Sequence, residues 1–338
     1  MPFKSRNVRI QISQRSGTPP PKPPKPAERR DAVPSIAGAG IACLDYIFVS
    51  PQPGWGETAQ VEDSLVQGGG LVGTALVACA RLGARCRLYS FLSHDETGTR
   101  IAAELARENI RLDGVVAIPG GRSPFSFIHV DSASGERTIF HHPATGVDMA
   151  RVPDLSGIGR CQALLVDDYY PELALAAAKK AKEFGVPVIA DVAVNPLRGD
   201  EFIRYVTVLI APISVAGKLR NSDDLAAALE AFKSLGPQIV VFTLGPDGWV
   251  FSGPTGRGRG KAFAVQVRDT TGAGDAFHGA FAYGFARGWE VGRCAEFSGA
   301  VAAIKCTRSG GREGLPTLAQ TIEFLRKNGR LDWSGYGG

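Results

Sequence analysis

The run Arg268 to Gly284, RDTTGAGDAFHGAFAYG, places glycine, threonine and carboxylate side by side ahead of a stretch with small residues on one helical face. Gly272 and Gly274 bracket Ala273, and Asp275 follows at once. A glycine turn that opens a helix aims free N–H groups and the positive end of the helix dipole at one point, which makes an anion hole. Glycine also lets a phosphate approach the backbone closely. A carboxylate in the first helical turn then lies beside the transferring group and can accept the proton of an attacking hydroxyl, an effect worth about 10²- to 10⁴-fold. Positioning and charge neutralisation, the other needs of phosphoryl transfer, fall to the amides of Gly272, Ala273 and Gly274. An aspartate in this place serves equally as a plain helix N-cap, and local chemistry leaves both roles open.

Such a turn needs a strand-to-helix junction. AFAVQVRDTT reads as extended and DAFHGAFAYGFARG as a helix. Upstream, Ser35 to Ile41 and Tyr46 to Val49 read as strands, Val72 to Ala84 as a helix ending in glycine-rich sequence, and RCRLYSFL as a further strand. CQALLVDD, PVIADVAV, TVLIAPI and QIVVFTLG are short apolar runs separated by helical segments such as PELALAAAKKAKEFG and SDDLAAALEAFKSLG. This alternation predicts an α/β fold with a mostly parallel central sheet covered by helices on both faces. Ser123 to Ala144 breaks the rhythm: it alternates with period two around SASGE, as a hairpin does. With the strand-like residues near 59–66, it is expected to form a small β-sheet lid over the crevice at the carboxyl ends of the strands.

Composition narrows the class. The 338 residues are 44% hydrophobic, enough for a large core. No run reaches the roughly 18 apolar residues of a membrane span and the N-terminus has no secretory signal, so the expectation is a cytoplasmic protein without a membrane partner. The net charge of +5 is concentrated in residues 1–33, where eight basic residues face only Glu28 and Asp31; the remainder is slightly acidic, which argues against a nucleic-acid partner. The tail, with GTPPPKPPKP, is expected to be flexible or polyproline-like, either a docking arm for an anion or an extension with no partner. Six scattered cysteines without CxxC spacing read as reduced, buried thiols. His141 and His142 are strand neighbours that point to opposite faces and do not share a metal, and His278 reads as a packing residue. A dinucleotide fingerprint at GAGIAC lacks its third glycine, GRGRGKA lacks P-loop spacing, and G-x-S-x-G is absent.

DTTGAGDAF closely resembles the signature of the PfkB, or ribokinase-like, carbohydrate kinases. QGGGLVGTALVACARLGA resembles that family's N-terminal signature, and GAGIACLDYIF and VFTLGPDGWVF follow its pattern in order. The resemblance covers about residues 34–328, within a kinase domain placed at 34–330 whose lid comes from about 45–66 and 123–144. It implies the three-layer α/β/α ribokinase-like fold and an ATP-dependent phosphotransferase acting on a sugar hydroxyl, with Mg²⁺ as cofactor. Asp275 matches the catalytic base and Gly272 to Gly274 the anion hole. Asp45 matches the acid that binds sugar hydroxyls, and Gly69 and Gly70 the backbone that closes on the sugar. Thr243, Gly245 and Gly248, together with Thr271, Gly272 and Gly274, match ATP-binding positions. Asp269 and Thr271 match a monovalent-cation (K⁺) site of many relatives. A homodimer paired through the lid is also expected.

The chain departs from the pattern in two places. Thr74 stands where many members carry an asparagine that contacts the sugar. No N-x-x-E element occurs near LIAPISVAGKL, so Mg²⁺ would rest mostly on ATP phosphates and water. The run FSGAVAAIKCTRSGGREGLP resembles sulfofructose kinases and related ketose kinases. Through that likeness Arg137, in GERTIFHH, and Arg122 become candidates for an anionic substituent on the sugar, while a lysine expected near Thr58 is missing. The acceptor is thus expected to be a ketose or an anionic sugar derivative such as sulfofructose, fructose or a ketodeoxy sugar acid. A nucleoside kinase of the same family, or a non-catalytic sugar sensor on the same fold, is the alternative.

Overall fold

The computed structural model describes residues 33–192, 200–215 and 224–333, so the tail expected over 1–33 falls outside it, Val33 excepted. Strands β1 (Ser35–Ala39), β4 (Arg85–Ser93) and β5 (Arg111–Ile118) lie on one side of the main sheet. On the other side of β1 come β8 (Ala163–Asp167), β9 (Val188–Asp191), β10 (Val208–Pro212) and β11 (Ile239–Thr243), followed at the edge by β12 (Trp249–Gly253) and β13 (Gly256–Gly260). The nine-stranded order is β13-β12-β11-β10-β9-β8-β1-β4-β5, parallel except for the last hairpin. The order of the chain reverses between β1 and β8, and such a switch point opens a crevice at the carboxyl ends of the strands.

Both faces of this sheet are buried, as the near-continuous apolar strands require. Ile36 and Val241 pack with helices α1 (Leu71–Arg81), α2 (Glu96–Arg107), α5 (Ala273–Ala286), α6 (Val291–Cys306) and α7 (Leu318–Lys327). Ala37, Ala39, Val240 and Phe242 pack with α3 (Pro171–Glu183) and α4 (Leu225–Lys233). Local chemistry starts these helices where the sequence places them. Asp95 caps α2 by accepting from Gly98 N–H, Asp224 caps α4 by accepting from Ala226 and Ala227, and Pro171 opens α3.

The lid is a four-stranded sheet ordered β3-β2-β6-β7, from β2 (Cys43–Ser50), β3 (Asp63–Gly69), β6 (Phe125–Asp131) and β7 (Arg137–His142). The expected hairpin is β6–β7. The third strand differs from expectation by running on through Gln67, Gly68 and Gly69. It can do so because other side chains occupy the space beside those glycines: a Cβ on Gly69 would lie 1.9 Å from Asp45 Oδ2, and one on Gly68 would lie 2.0 Å from Arg312 Nη1. Among the described residues, no helix is long and apolar enough to cross a membrane.

Candidate active site

Two parallel strands and a helix bring three carboxylates to the same edge of the sheet. Asp167 ends β8 and Asp191 ends β9, paired in register, and α5 begins above them with Asp275 in its first turn. Gly272, the residue before α5, has φ +73°, and a Cβ there would come within 2.8 Å of Gly311 Cα. Only glycine meets both conditions. The Ala273 N–H is used within the turn, donating to Thr270 O at 3.1 Å, so of the three amides expected to bind an anion that of Ala273 is already taken. Gly274 has nothing within 4 Å of its would-be Cβ, which leaves an open approach to the helix N-terminus.

Asp275 and Asp191 are the carboxyls of the cleft pushed furthest from their ordinary value. Burial comes first, then the like charge of Asp191, and with a smaller contribution from Asp45 they push the Asp275 carboxyl from 3.8 up to about 8; His278 and Arg312 pull the other way. Asp191 is itself raised to about 8 by burial and by Asp168, and its Oδ1 is buried without a hydrogen-bond partner. His278 lies between them: Nδ1 is 2.8 Å from Gly274 O and 3.4 Å from Asp191 Oδ2, and Nε2 is 3.2 Å from Ile210 O. The histidine expected to be mere packing therefore ties the start of α5 to β9 and β10.

Across the cleft, Asp45 is 7% exposed and accepts from Cys43 Sγ at 3.2 Å; burial raises its pKa, opposed by Cys43, Arg312 and Ser126. Gly70 precedes α1 with φ +87°, and a Cβ there would meet Ile41 O at 2.7 Å. Thr74 is buried, and its hydroxyl accepts from Arg312 Nε at 3.3 Å. Arg312 also donates through Nη2 to Gly69 O at 2.7 Å, so the glycine strap that carries Gly69 is held by a buried guanidinium beside Asp45. Asp167 performs the matching task below: Oδ2 accepts from Ile41 N–H at 2.8 Å, Oδ1 accepts from Tyr169 N–H at 3.0 Å, and burial drives its pKa to about 7.

Sequence reasoning singled out none of Arg312, Asp167 and Asp191 as a site residue. The two aspartates carried a readable signal, since CQALLVDD and PVIAD place carboxylates directly at the ends of apolar strands, where an α/β crevice opens. Arg312 carried none, because its partners are far away in sequence.

The remaining expected residues divide. Thr243 closes β11, and Gly245 (φ +58°) and Gly248 (φ +97°) shape the turn after it, on the α5 side of the crevice and away from Asp45. The structure does not place Arg137 near Asp45. It stands four residues along β7 from His141, which is level with Ser126 and Asp45, a run of about 13 Å at strand spacing. Its Nη1 instead donates to Thr270 Oγ1 at 2.6 Å, at the entry to the anion turn. Arg122 is exposed in an isolated bridge to Thr145. His141, itself exposed, lies on the face of Ser126 and hydrogen-bonds its Oγ at 3.1 Å and the Tyr169 hydroxyl, while its neighbour His142 stacks on Phe125 on the opposite face. Asp269 bridges two loops: Oδ1 accepts from Thr271 N–H and Oδ2 from Gly310 N–H, each at 2.7 Å, and its carbonyl accepts from Lys305 Nζ at 2.9 Å. No cluster of three or more His, Cys, Asp or Glu among the described residues is arranged to hold a metal ion.

Comparison with known proteins agrees with this geometry. The model of the pfkB family of carbohydrate kinases matches residues 34–318. Ribokinase of Haemophilus influenzae is 28% identical over 300 residues, 86% of this chain and 96% of the relative. The crystal structure of ribokinase from Thermotoga maritima superposes with a TM-score of 0.75 at 25% identity, covering 86% of this chain and 99% of the other. Arabidopsis thaliana ribokinase, solved with ribose and ATP, gives a TM-score of 0.78 at 22% identity over 87% and 99% of the two chains.

Proposed function

The chain belongs to the pfkB family of carbohydrate kinases, phosphotransferases whose acceptor is a sugar hydroxyl, and on that premise we propose that it moves the γ-phosphoryl group of ATP to a hydroxyl of a small, uncharged sugar. The observation that carries the reading is the placement of two carboxylates, Asp275 in the first turn of α5 beside the open glycine turn and Asp45 against the glycine strap at Gly69, with Asp45 adding a small upward push to the Asp275 carboxyl. Asp45 accepts hydrogen bonds from two sugar hydroxyls, as one carboxylate can. Gly69 and Gly70 let the sugar approach the backbone. Asp275 takes the proton of the attacking hydroxyl, and a raised pKa suits that task because a base works best when its pKa lies near the working pH. The Gly272 and Gly274 amides hold the transferred group, and Thr243, Gly245 and Gly248 form the adenine-nucleotide side. Mg²⁺ supplies charge neutralisation at the ATP phosphates and is held mainly by them and by water, in keeping with its tendency to keep several waters.

An uncharged acceptor is favoured over a sulfonated or carboxylated one because both candidate anion readers are placed elsewhere: Arg137 on Thr270 and Arg122 in its exposed bridge. The deciding experiment is ADP release with Mg-ATP across ribose, fructose, sulfofructose, ketodeoxy sugar acids and nucleosides. Turnover on a neutral sugar is expected. Turnover confined to anionic sugars overturns the choice of acceptor, and silence with ATP bound overturns catalysis in favour of a sensor.

The partner proposed for the lid is a second copy of the chain. The outward face of the lid carries an aromatic group, with Tyr46–Phe127 at 5.2 Å and Phe125–Phe127 at 5.5 Å, and Phe127 and Phe140 are 46% and 60% exposed. Sedimentation equilibrium tests this, and a monomer at micromolar concentration refutes it.

A further inference from the structure

Lys305, near the end of α6, is the least accessible charged residue of the described chain, at 0% exposure. Lysine is almost never fully buried without a partner. Its ammonium donates to the backbone oxygen of Asp269, and the surrounding contacts explain its placement. Arg268 and Asp269 N–H both donate to Cys306 O, the Asp269 carboxylate is bonded to Thr271 and Gly310 N–H, and Gly272 packs against Gly311. The loop that leads into the anion turn and the loop that follows α6 are thus closed around the Lys305 ammonium, held on the Asp269 carbonyl, three residues before Gly272. Burial, opposed by Lys305 and by the Thr271 and Gly310 N–H groups, leaves Asp269 below the usual carboxylate range.

The family resemblance places a monovalent cation at Asp269 and Thr271, and the residues present do not fit one. Each Asp269 oxygen already accepts a hydrogen bond, one of them from an ammonium, and a second cation on those oxygens would stand against Lys305 at close range. Among the side-chain oxygens of this cluster the buried Thr271 hydroxyl is the one without a hydrogen-bond partner, and a single hydroxyl does not replace a hydration shell.

We propose that the Lys305 ammonium is a tethered cation occupying the place of the bound monovalent ion, so that this kinase orders its anion turn and binds nucleotide without K⁺. Lys305 is accordingly a positioning residue. The inference rests on the kinase reading of the site, but its test needs no sugar. The full-length protein is titrated with the magnesium complex of a non-hydrolysable ATP analogue in KCl, NaCl and choline chloride of equal ionic strength, and its thermal midpoint is measured in each. Affinities within about twofold and equal midpoints are expected, since an ion that binds only the folded state would raise the midpoint. A selective K⁺ effect, about fivefold in affinity or several degrees in midpoint, overturns the proposal. Lys305→Ala is expected to lose about tenfold or more in affinity in choline chloride and to recover most of it on addition of K⁺ or NH₄⁺, a rescue that a merely structural lysine would not allow. Unchanged affinity, or a loss that no monovalent ion restores, also overturns it. If Lys305→Ala does not fold, the wild-type cation series decides alone. Absence of nucleotide binding in every salt defeats the kinase reading instead, and the midpoints still decide for or against the tethered cation.

Discussion

Asp275→Asn separates the two things this carboxylate does, and the effect on stability can be worked out from its surroundings. In the folded protein the group titrates at about 8, against 3.8 for the free side chain, with burial the largest cause and Asp191 the next. Between those values the folded state holds a proton that the unfolded state has released. The stabilisation is therefore complete at low pH and is lost as pH rises toward 8, at about 1.4 kcal/mol per pH unit. From pH 5 to pH 7 this group alone removes about 3 kcal/mol from the wild type. Asparagine does not titrate, so the variant's stability relative to the wild type should improve by about 3 kcal/mol over that interval, or about 5 °C in thermal midpoint. Urea melts of both proteins at pH 5, 6 and 7 measure the difference, and turnover on the acceptor sugar is followed in parallel. The variant should be the more stable protein at pH 7 and slower by about 10²- to 10⁴-fold. Stability curves that run parallel from pH 5 to pH 7 would refute the assignment of a raised pKa, and retained turnover would refute the base.

Wild-type kcat/KM is expected to rise with pH up to about 8, as Asp275 reaches its basic form, and Asp191→Asn should move that rise to lower pH by removing the neighbouring charge; an unmoved profile counts against the coupling. Asp45→Ala should raise KM for the sugar much more than the dissociation constant of the nucleotide, and equal losses in the two titrations would remove its role. Arg312→Leu leaves Gly69 O and Thr74 without their donor and takes a cation from beside Asp45. It should cost about 3 kcal/mol in denaturant melts and weaken the sugar more than the nucleotide. Gly272→Ala meets both a left-handed backbone and Gly311 and should destabilise by more than about 1 kcal/mol, whereas Gly274→Ala, with open space around it, should melt like the wild type and lose nucleotide affinity only. Equal melting of the two glycine variants would contradict the geometry of the turn.

The parts of the site legible in the sequence are those whose chemistry is local. TGAGD declares a positive-φ turn and a helix start within five residues, and the alternation of apolar strands with helices fixes the parallel sheet through burial on both faces. The lid hairpin shows itself by its period of two. The parts that stayed hidden are side chains whose meaning depends on distant partners. Lys305 lies in the apolar run AVAAIKC, a pattern that says the lysine is buried but not that Asp269 receives it. Arg137 became a candidate anion reader through the likeness of GERTIFHH to ketose kinases, yet register along β7 carries it past Asp45 and its guanidinium meets Thr270. The end of β3 was misplaced because glycines ordinarily weaken a strand. Here Asp45 and Arg312 fill the space where other residues would carry a Cβ.

The Arg312–Gly69 hydrogen bond spans 243 residues of sequence, and this separation constrains the order in which the protein matures. A ribosome that has released the first lid strand and the glycine strap must add 243 more residues before the guanidinium that braces them is made. Contacts of such long range form late, after local helices and neighbouring strands have settled. The nascent chain thus carries the segments proposed to bind the sugar without the brace that shapes them until 243 further residues have been made.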